Sequence, residues 1–507
     1  MRYKIAIFLL AVCSIIYEMG YAYGLTLIYG SSVFYYSLTI GIYIFSMGIG
    51  SFLFEKLNKK NINFIFIWNE LLLVFISILS IPIMFYITSF YPDYYYSNHI
   101  FIYTIIVLIG IFSGLEIPIL HHLSSNKITT ILGYDYFGTL TGTIFFSLLM
   151  LPYLGLVHTI YLTTFFNLVV LSIMFFKNKK LIVFLFIMQI FILVSIFVYN
   201  IGTKIEDIYM YKILQTKECS DKPCEVSIIK NLHTRYQTAT YANLFYPKSK
   251  KVKKSFDIKC MYIDKEVQFC SNWAYSYHHF LTDVPIYIQK KLEKKKSLNI
   301  LLLGGGDFYA ATFVLSKSNV KLTHIDIDKL FYNYVNKNIV HNIKEKLLTY
   351  KNYKLINTDA FAYLSNHLKK DNDKYDIILF DLPILKTEKL LPLYSIEMYT
   401  MLAKSLKDNG FLVDTYEGYD KYNETTLKTA GFNYQYIYKG FFVGPDEINP
   451  INNYFKYSDR FTLITKNKFN LSKEFKLLKL KRDKSIKLNK IFKPNYKYVI
   501  KTNKEYY

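Results

Sequence analysis

Cysteine is scarce in this chain, and what is missing around it narrows the chemistry. Only five cysteines occur among 507 residues. Neither a CxxC pair nor a histidine cluster accompanies Cys219, Cys224, Cys260 and Cys270, which argues against a zinc site, and no metal is expected. Those four suit two disulfides in an oxidising compartment or four reduced thiols, and the choice stays open. Repeats of the solenoid kind are absent. Acids are short as well, 38 against 61 basic residues, for a formal net charge of +23. The Lys, Asn, Ile and Tyr excess runs through the whole chain instead of gathering in a patch, so no nucleic acid partner is expected. With 52% hydrophobic and 18% aromatic residues, a disordered chain is excluded and two or more domains are allowed.

Long apolar runs fill roughly residues 5–24, 33–54, 63–89, 99–123, 130–151, 157–176 and 181–200, each near the ~20 residues that a bilayer-spanning helix needs. The expectation is a bundle of about seven spans over residues 1–203, a multi-pass protein of the cell membrane with the lipid bilayer as partner. The first run reads as an anchor, not a cleaved signal, because Glu18 follows its apolar core and further spans come directly after. Loops near 25–32, 89–98 and 152–156 hold no Lys or Arg, whereas Arg2, Lys4, Lys56, Lys59, Lys60, Lys127, Lys177, Lys179 and Lys180 fall in the alternate ones. Positive charge marks the cytoplasmic side, so the N-terminus is expected there. Seven spans would then put the second half outside, unless one stretch does not cross. "GYDYFGTLTG" around Asp135 is the best candidate for an irregular segment, and the side stays open. Glu18, Glu70, Glu116, Asp135, His121 and His122 lie in or beside these runs, where polar groups either seal helix packing or mark a polar pathway.

From about residue 205 the pattern turns to short β-like runs, a small β-rich lead-in over 204–285. Strand and helix patterns then alternate through "NILLLG", "KLTHIDID", "YKLINTDA", "YDIILFD", "GFLVDTY" and "RFTLITKN" over 286–465. This is the signature of a Rossmann-like α/β domain with a mostly parallel sheet. The Lys-rich stretch 466–507 reads as a solvated tail. Ligands on such sheets bind outside the carboxyl ends of the strands. There the chain sets Gly304, Gly305 and Gly306, followed by Asp307, and then Asp326, Asp359 and Asp381. One Asp after a strand could merely cap a helix. Four of them with a triple glycine read as a nucleoside site, in which glycines let the backbone approach a ligand and an acid about 20 residues on accepts ribose hydroxyls. Tyr309 occupies the place of the third glycine in GxGxxG, so an S-adenosyl ligand fits better than a dinucleotide.

These residues carry a specific resemblance. The second half resembles the spermidine synthases, polyamine aminopropyltransferases with a methyltransferase-type fold. The whole chain except the tail looks like their membrane-bound branch, through "YEMGYAYGLTLIYGSSVFYYSL", "GIYIFSMGIGSFL", "GLEIPIL" and "GYDYFGTLTGTIFFSLLMLPYLGL". The resemblance implies that Gln237 in "TRYQTATY" contacts the nucleoside, that Asp326 grips the ribose, and that Asp359 with Ala360 reads adenine. It implies that His278 in "YSYHHFL" lies near the acceptor, that Asp307 contacts the amine, and that Asp381 is the proton acceptor. The implied cosubstrate is decarboxylated S-adenosylmethionine, with no permanently bound cofactor, a small-molecule amine as acceptor, and homodimers common among such relatives. The chain departs from the family pattern on the acceptor side: Ile384 replaces the second acid of DxxD, Trp273 and Ala274 replace an Asp-Glu pair, and "GGGDFY" replaces "GGGDGG". The alternatives are methyl transfer from S-adenosylmethionine, or a degenerate, ligand-sensing or transport-coupled protein.

Overall fold

The computed structural model describes residues 2–491 apart from 31, 58, 125–126, 221–222, 249–254, 293, 371–373, 384, 386–387, 416–420, 443–456, 473–474, 484 and 486–487. It divides into two compact units, residues 1–222 with 228–233 and residues 223–227 with 234–507. The border between these units falls near residue 222.

The first unit consists of long helices: α1 Arg2–Tyr29, α2 Ser32–Phe54, α3 Ile62–Phe90, α4 Tyr95–Leu123, α5 Ile128–Phe145, α6 Leu151–Met174, α7 Lys179–Phe197 and α8 Ile201–Cys219. Among the described residues, six helical stretches are long and apolar enough to cross a membrane, against about seven expected. The difference arises because the runs 130–151 and 157–176 join into one stretch, Ile128–Met174. A π-helical turn at Phe146–Met150 continues α5 into α6, and only Gly155 leaves helical geometry, at φ 77°. A straight helix of 47 residues would be about 70 Å long, more than twice a bilayer's ~30 Å hydrocarbon core. It is not straight. Gly138 and Gly142 of α5 lie against Phe8 and Val12 of α1, in parallel order, whereas Leu156 and Ile160 of α6 meet Gly24 and Gly20, in antiparallel order. The chain therefore reverses at Gly155, and the irregular segment is there and not around Asp135, which sits in regular helix. α8 is a further correction: residues 201–219 are helical where β-like runs were expected.

The second unit opens with β1 Glu225–His233, β2 Thr238–Tyr246, β3 Phe256–Ile263 and β4 Glu266–Cys270, a sheet of order β1-β2-β3-β4 with the division between units falling inside β1. Cys260 and Cys270 face each other across β3 and β4 and form a disulfide, and Cys219 and Cys224 are also disulfide-bonded. Then come α9 Ala274–Leu292, β5 Leu298–Gly304, α10 Tyr309–Leu315, β6 Val320–Asp326, α11 Lys329–Asn338, α12 Ile343–Leu347, β7 Tyr353–Asn357 and α13 Ala360–Lys369. β8 Tyr375–Asp381, α14 Ile396–Ser405, β9 Leu406–Thr415, α15 Lys421–Ala430, β10 Tyr434–Phe442, β11 Tyr457–Thr465 and β12 Lys476–Lys479 complete it.

The large sheet runs β12-β10-β11-β9-β8-β5-β6-β7. Its middle is parallel, β9-β8-β5-β6-β7, and its far edge antiparallel. β5 and β8 are almost wholly apolar and buried, as a strand covered by helices on both faces requires. The segment after 465 is not simply a solvated tail: β12 pairs with β10, Leu480 is buried, and Asn489 donates to the Leu391 carbonyl at 2.7 Å.

Candidate active site

Parallel pairing brings the carboxyl ends of β5, β6, β7 and β8 to one edge. Gly304 stands opposite Asp381, and Asp326 opposite Asn357. The glycine turn is shaped by what surrounds it. Gly304 (φ 81°) could carry no side chain, because a Cβ there would lie 1.9 Å from the Asp381 carbonyl oxygen, and the Gly305 N–H donates to that same oxygen at 3.0 Å. The next positions look onto carboxylates. A Cβ on Gly305 would come within 3.1 Å of Asp381 Oδ2, and one on Gly306 within 2.8 Å of Asp326 Oδ2.

Three groups gather beside this turn. His278 on α9 donates from Nδ1 to the Ala274 carbonyl at 2.6 Å, which aims Nε2 at Asp307 Oδ2 (3.3 Å) and Asp381 Oδ2 (3.6 Å). His278 is 1% exposed and Asp307 9%, so water hardly screens the pair. Burial by itself would lower the His278 imidazole, but Asp307 and Asp381 outweigh it and raise the value to about 10. At neutral pH it is an imidazolium. Burial pushes Asp307 upward, yet His278 and the Tyr309 N–H, which donates at 3.0 Å, hold it below the usual carboxylate range. Asp381 moves the other way, raised by burial and by the charge of Asp307 in spite of His278. Its Oδ2 is buried without a hydrogen-bond partner. The three groups lie within 4.8 Å of one another, close enough to hold a metal, and form the one such group among the described residues. With His278 protonated, however, its own charge stands where a metal's would.

The acids expected to meet the nucleoside are better satisfied. Asp326 Oδ1 accepts from the Asp328 N–H at 2.8 Å, and burial raises Asp326 to about 7. Asp328, which the sequence reading passed over, accepts from the Thr234 hydroxyl at 2.5 Å and from the Phe331 N–H at 3.0 Å, and also bonds the Gln237 side chain. It thereby ties the lead-in hairpin holding Gln237 to the start of α11. The second acid in "HIDID" was its signal. His324 was also missed. Burial lowers it to about 4, so it is neutral, donating from Nε2 to the Gly304 carbonyl (2.7 Å) and accepting at Nδ1 from Tyr353 (2.9 Å). It pins the glycine turn. Asp359 caps α13 by accepting from the Ala362 N–H at 2.9 Å, with Ala360 buried behind it. Asp376, at the opposite end of β8, makes the contrast plain: it is fully paired, to Lys295 at 2.7 Å and Lys407 at 3.0 Å.

The aromatic departures divide. Phe308 takes a left-handed conformation (φ 66°) and is 0% exposed, packed on His324 and Tyr332, so it belongs to the core. Tyr309 stacks on His278 with ring centroids 5.3 Å apart, and Trp273 meets Tyr277, which itself meets His278. Ile384 lies outside the described residues.

Comparison with known proteins places the chain among relatives with a shared name. Residues 274–472 match the spermine/spermidine synthase domain. The chain is 31% identical over 414 residues to a polyamine aminopropyltransferase of Oceanobacillus iheyensis, covering 80% of this chain and 75% of that one. It is 28% identical over 444 residues to polyamine aminopropyltransferase 2 of Aquifex aeolicus, covering 85% and 83%. Among solved structures, spermidine synthase from Thermotoga maritima aligns at 17% identity over 47% of this chain and 72% of that one, with a TM-score of 0.33.

Proposed function

The chain belongs to the polyamine aminopropyltransferase family, and on that premise we propose that it moves the aminopropyl group of decarboxylated S-adenosylmethionine to a small amine, releasing 5'-methylthioadenosine, as a multi-pass protein of the cell membrane. The observation that carries this reading is the His278–Asp307–Asp381 cluster, with its one buried carboxylate oxygen that has no hydrogen-bond partner. An ammonium has no lone pair to attack with. Asp381 takes its proton, the nitrogen lone pair forms the new N–C bond, and the C–S bond breaks with its electrons left on sulfur. A base shifted upward toward neutral pH suits that task.

His278 supplies the balance of charge. With both carboxylates ionised and the imidazolium between them, the cluster carries one net negative charge, which complements one ammonium. Asp307 holds that ammonium by a charge-assisted hydrogen bond. On the donor side Gly304, Gly305 and Gly306 let the backbone approach the cosubstrate, Asp326 accepts from the ribose hydroxyls, Asp359 with Ala360 meets the adenine, and Gln237 covers the nucleoside. The sulfonium is already a good leaving group, so what remains is holding nitrogen, carbon and sulfur in line.

The acceptor is set by the aromatic groups beside the cluster. Trp273 and Tyr309 offer ring faces where relatives of the resembled pattern have acids or glycine, and a ring face attracts a cation less strongly than a carboxylate. We therefore infer an acceptor with one strongly bound ammonium and an apolar or weakly charged remainder, and weak use of putrescine. The test is mass spectrometry of products from the detergent-purified full-length protein, given decarboxylated S-adenosylmethionine or S-adenosylmethionine with a panel of amines. An aminopropylated amine with 5'-methylthioadenosine supports the reading. S-adenosylhomocysteine would mean methyl transfer instead, and ordinary micromolar use of putrescine would remove the acceptor inference.

A further inference from the structure

The helical unit contains a second acidic site that aminopropyl transfer does not use. A cavity of about 90 Å³ lies among α1, α2, α4 and α5, and Glu18, Glu116 and Asp135 all line it. Glu18 is 9% and Glu116 4% exposed. Neither makes a hydrogen bond or ion pair among the described residues, although each lies in an apolar helix where an unanswered carboxyl group is expensive. Glu70 shows what a sealed carboxylate in this unit looks like. It accepts from Asn167 at 2.7 Å and from Asn69 at 3.3 Å, and Asn167 is held in turn by the Tyr17 hydroxyl at 3.1 Å. His121 and His122, at the end of α4, are exposed and do not line the cavity. Among the described residues, no side chain of the chain's own answers Glu18 and Glu116.

We propose that this cavity binds an aliphatic amine through Glu18, Glu116 and Asp135, a site separate from the catalytic one. Two observations select an alkylammonium over a bare metal ion. The three carboxylates do not converge to the spacing a metal would need, since His278, Asp307 and Asp381 form the only such group among the described residues. The rest of the lining is largely hydrocarbon, Leu10, Met47 and Leu120 among it, with the hydroxyls of Ser14, Ser113 and Thr139 as its other polar groups. A ligand with charged ends and methylene groups between them satisfies both parts of that wall, whereas a hydrated inorganic cation satisfies only the acids.

The experiment is equilibrium binding of radiolabelled putrescine and spermidine to the full-length protein in detergent, with the catalytic amine site disabled by Asp307→Asn and Asp381→Asn. One equivalent of amine should still bind. Adding Glu116→Gln should weaken it at least ~10-fold, the scale of one charge-assisted hydrogen bond, and Asp135→Asn, at a half-buried position, should weaken it less. In the otherwise wild-type chain, Glu116→Gln should leave size-exclusion behaviour and turnover unchanged. Absence of amine binding in the disabled background, equal affinity with Glu116→Gln, or saturation by sodium ions and not by amines would each overturn the assignment. Turnover in the same preparations separates this result from the aminopropyl reading. An inactive chain that binds amine through Glu116 leaves the cavity site standing, and an active chain indifferent to Glu116 removes the cavity site alone.

Discussion

Two acidic clusters, one in each unit, differ in what faces them. In the second unit Asp307 and Asp381 face a histidine of the same chain, 3.3 and 3.6 Å away. In the first, Glu18, Glu116 and Asp135 face a cavity. A buried carboxylate must be neutralised, paired or hydrogen-bonded. The cluster around His278 carries its own cation, which holds Asp307 low and counters the burial that raises Asp381, in a site that water scarcely reaches. The helical cluster has none among the described residues, and on the proposed reading its charge balance is left for a ligand to complete. On the proposed reading, the same residue types serve chemistry in one place and recognition in the other, according to whether the fold supplies the counter-charge.

The comparison breaks first at His278. His278→Gln should lower kcat by about 100-fold, the scale of losing one preorganised electrostatic group. It should also move the acid limb of the pH–rate profile upward, because the charge that lowers the Asp381 pKa is gone. Its folded value of about 10 exceeds the ordinary 6.5. The stability it contributes is therefore complete below pH 6.5 and lost as pH rises toward 10. Thermal melts of the wild type should fall across that window, and those of His278→Gln should be flatter there. An unchanged acid limb and an equally sloping melt profile would mean that His278 is merely packed there.

The next effect sharpens the donor side. Asp326→Asn should raise KM for the cosubstrate ~10–100-fold with kcat little changed, since hydrogen bonds to a charged group are lost from binding. Because burial lifts Asp326 to about 7, wild-type KM should rise as pH falls below that value and the carboxylate protonates. A pH-independent KM would take Asp326 out of cosubstrate binding. Smallest is Asp359→Ala. Losing the α13 cap should cost ~1 kcal/mol, read as a small drop in Tm. If Asp359 also meets adenine, KM rises alongside, and a melt shift with constant KM would leave it a cap.

The sheet was legible in the sequence because β5 and β8 are short, densely apolar runs, β6 and β7 set apolar residues between polar ones, and glycine or aspartate lies at or within two residues of each strand's end, where parallel pairing must bring the acids together. His278 came only through resemblance, since nothing local in "YSYHHFL" tells which histidine points inward; a period count would not have chosen it over His279. Asp328, Thr234 and His324 escaped because their partners lie 94 and 20 residues away in the chain. No window holds such a pairing. Hydropathy marked the apolar helices but could not see that α5 and α6 stay hydrogen-bonded through a π-helical turn and reverse at one glycine. The tail misled for a related reason: lysine dominates its composition, while Phe469, Leu480 and Asn489 do the docking.

The most direct measurement is a single-turnover experiment on full-length protein preloaded with decarboxylated S-adenosylmethionine and mixed with its amine, comparing wild type with Asp381→Asn. Loss of the proton acceptor should slow formation of 5'-methylthioadenosine by ~10²–10⁴-fold, with the cosubstrate bound as tightly as before. A rate within a few-fold of wild type would contradict the assignment of Asp381 as the base, and with it the reading of the cluster it shares with His278 and Asp307.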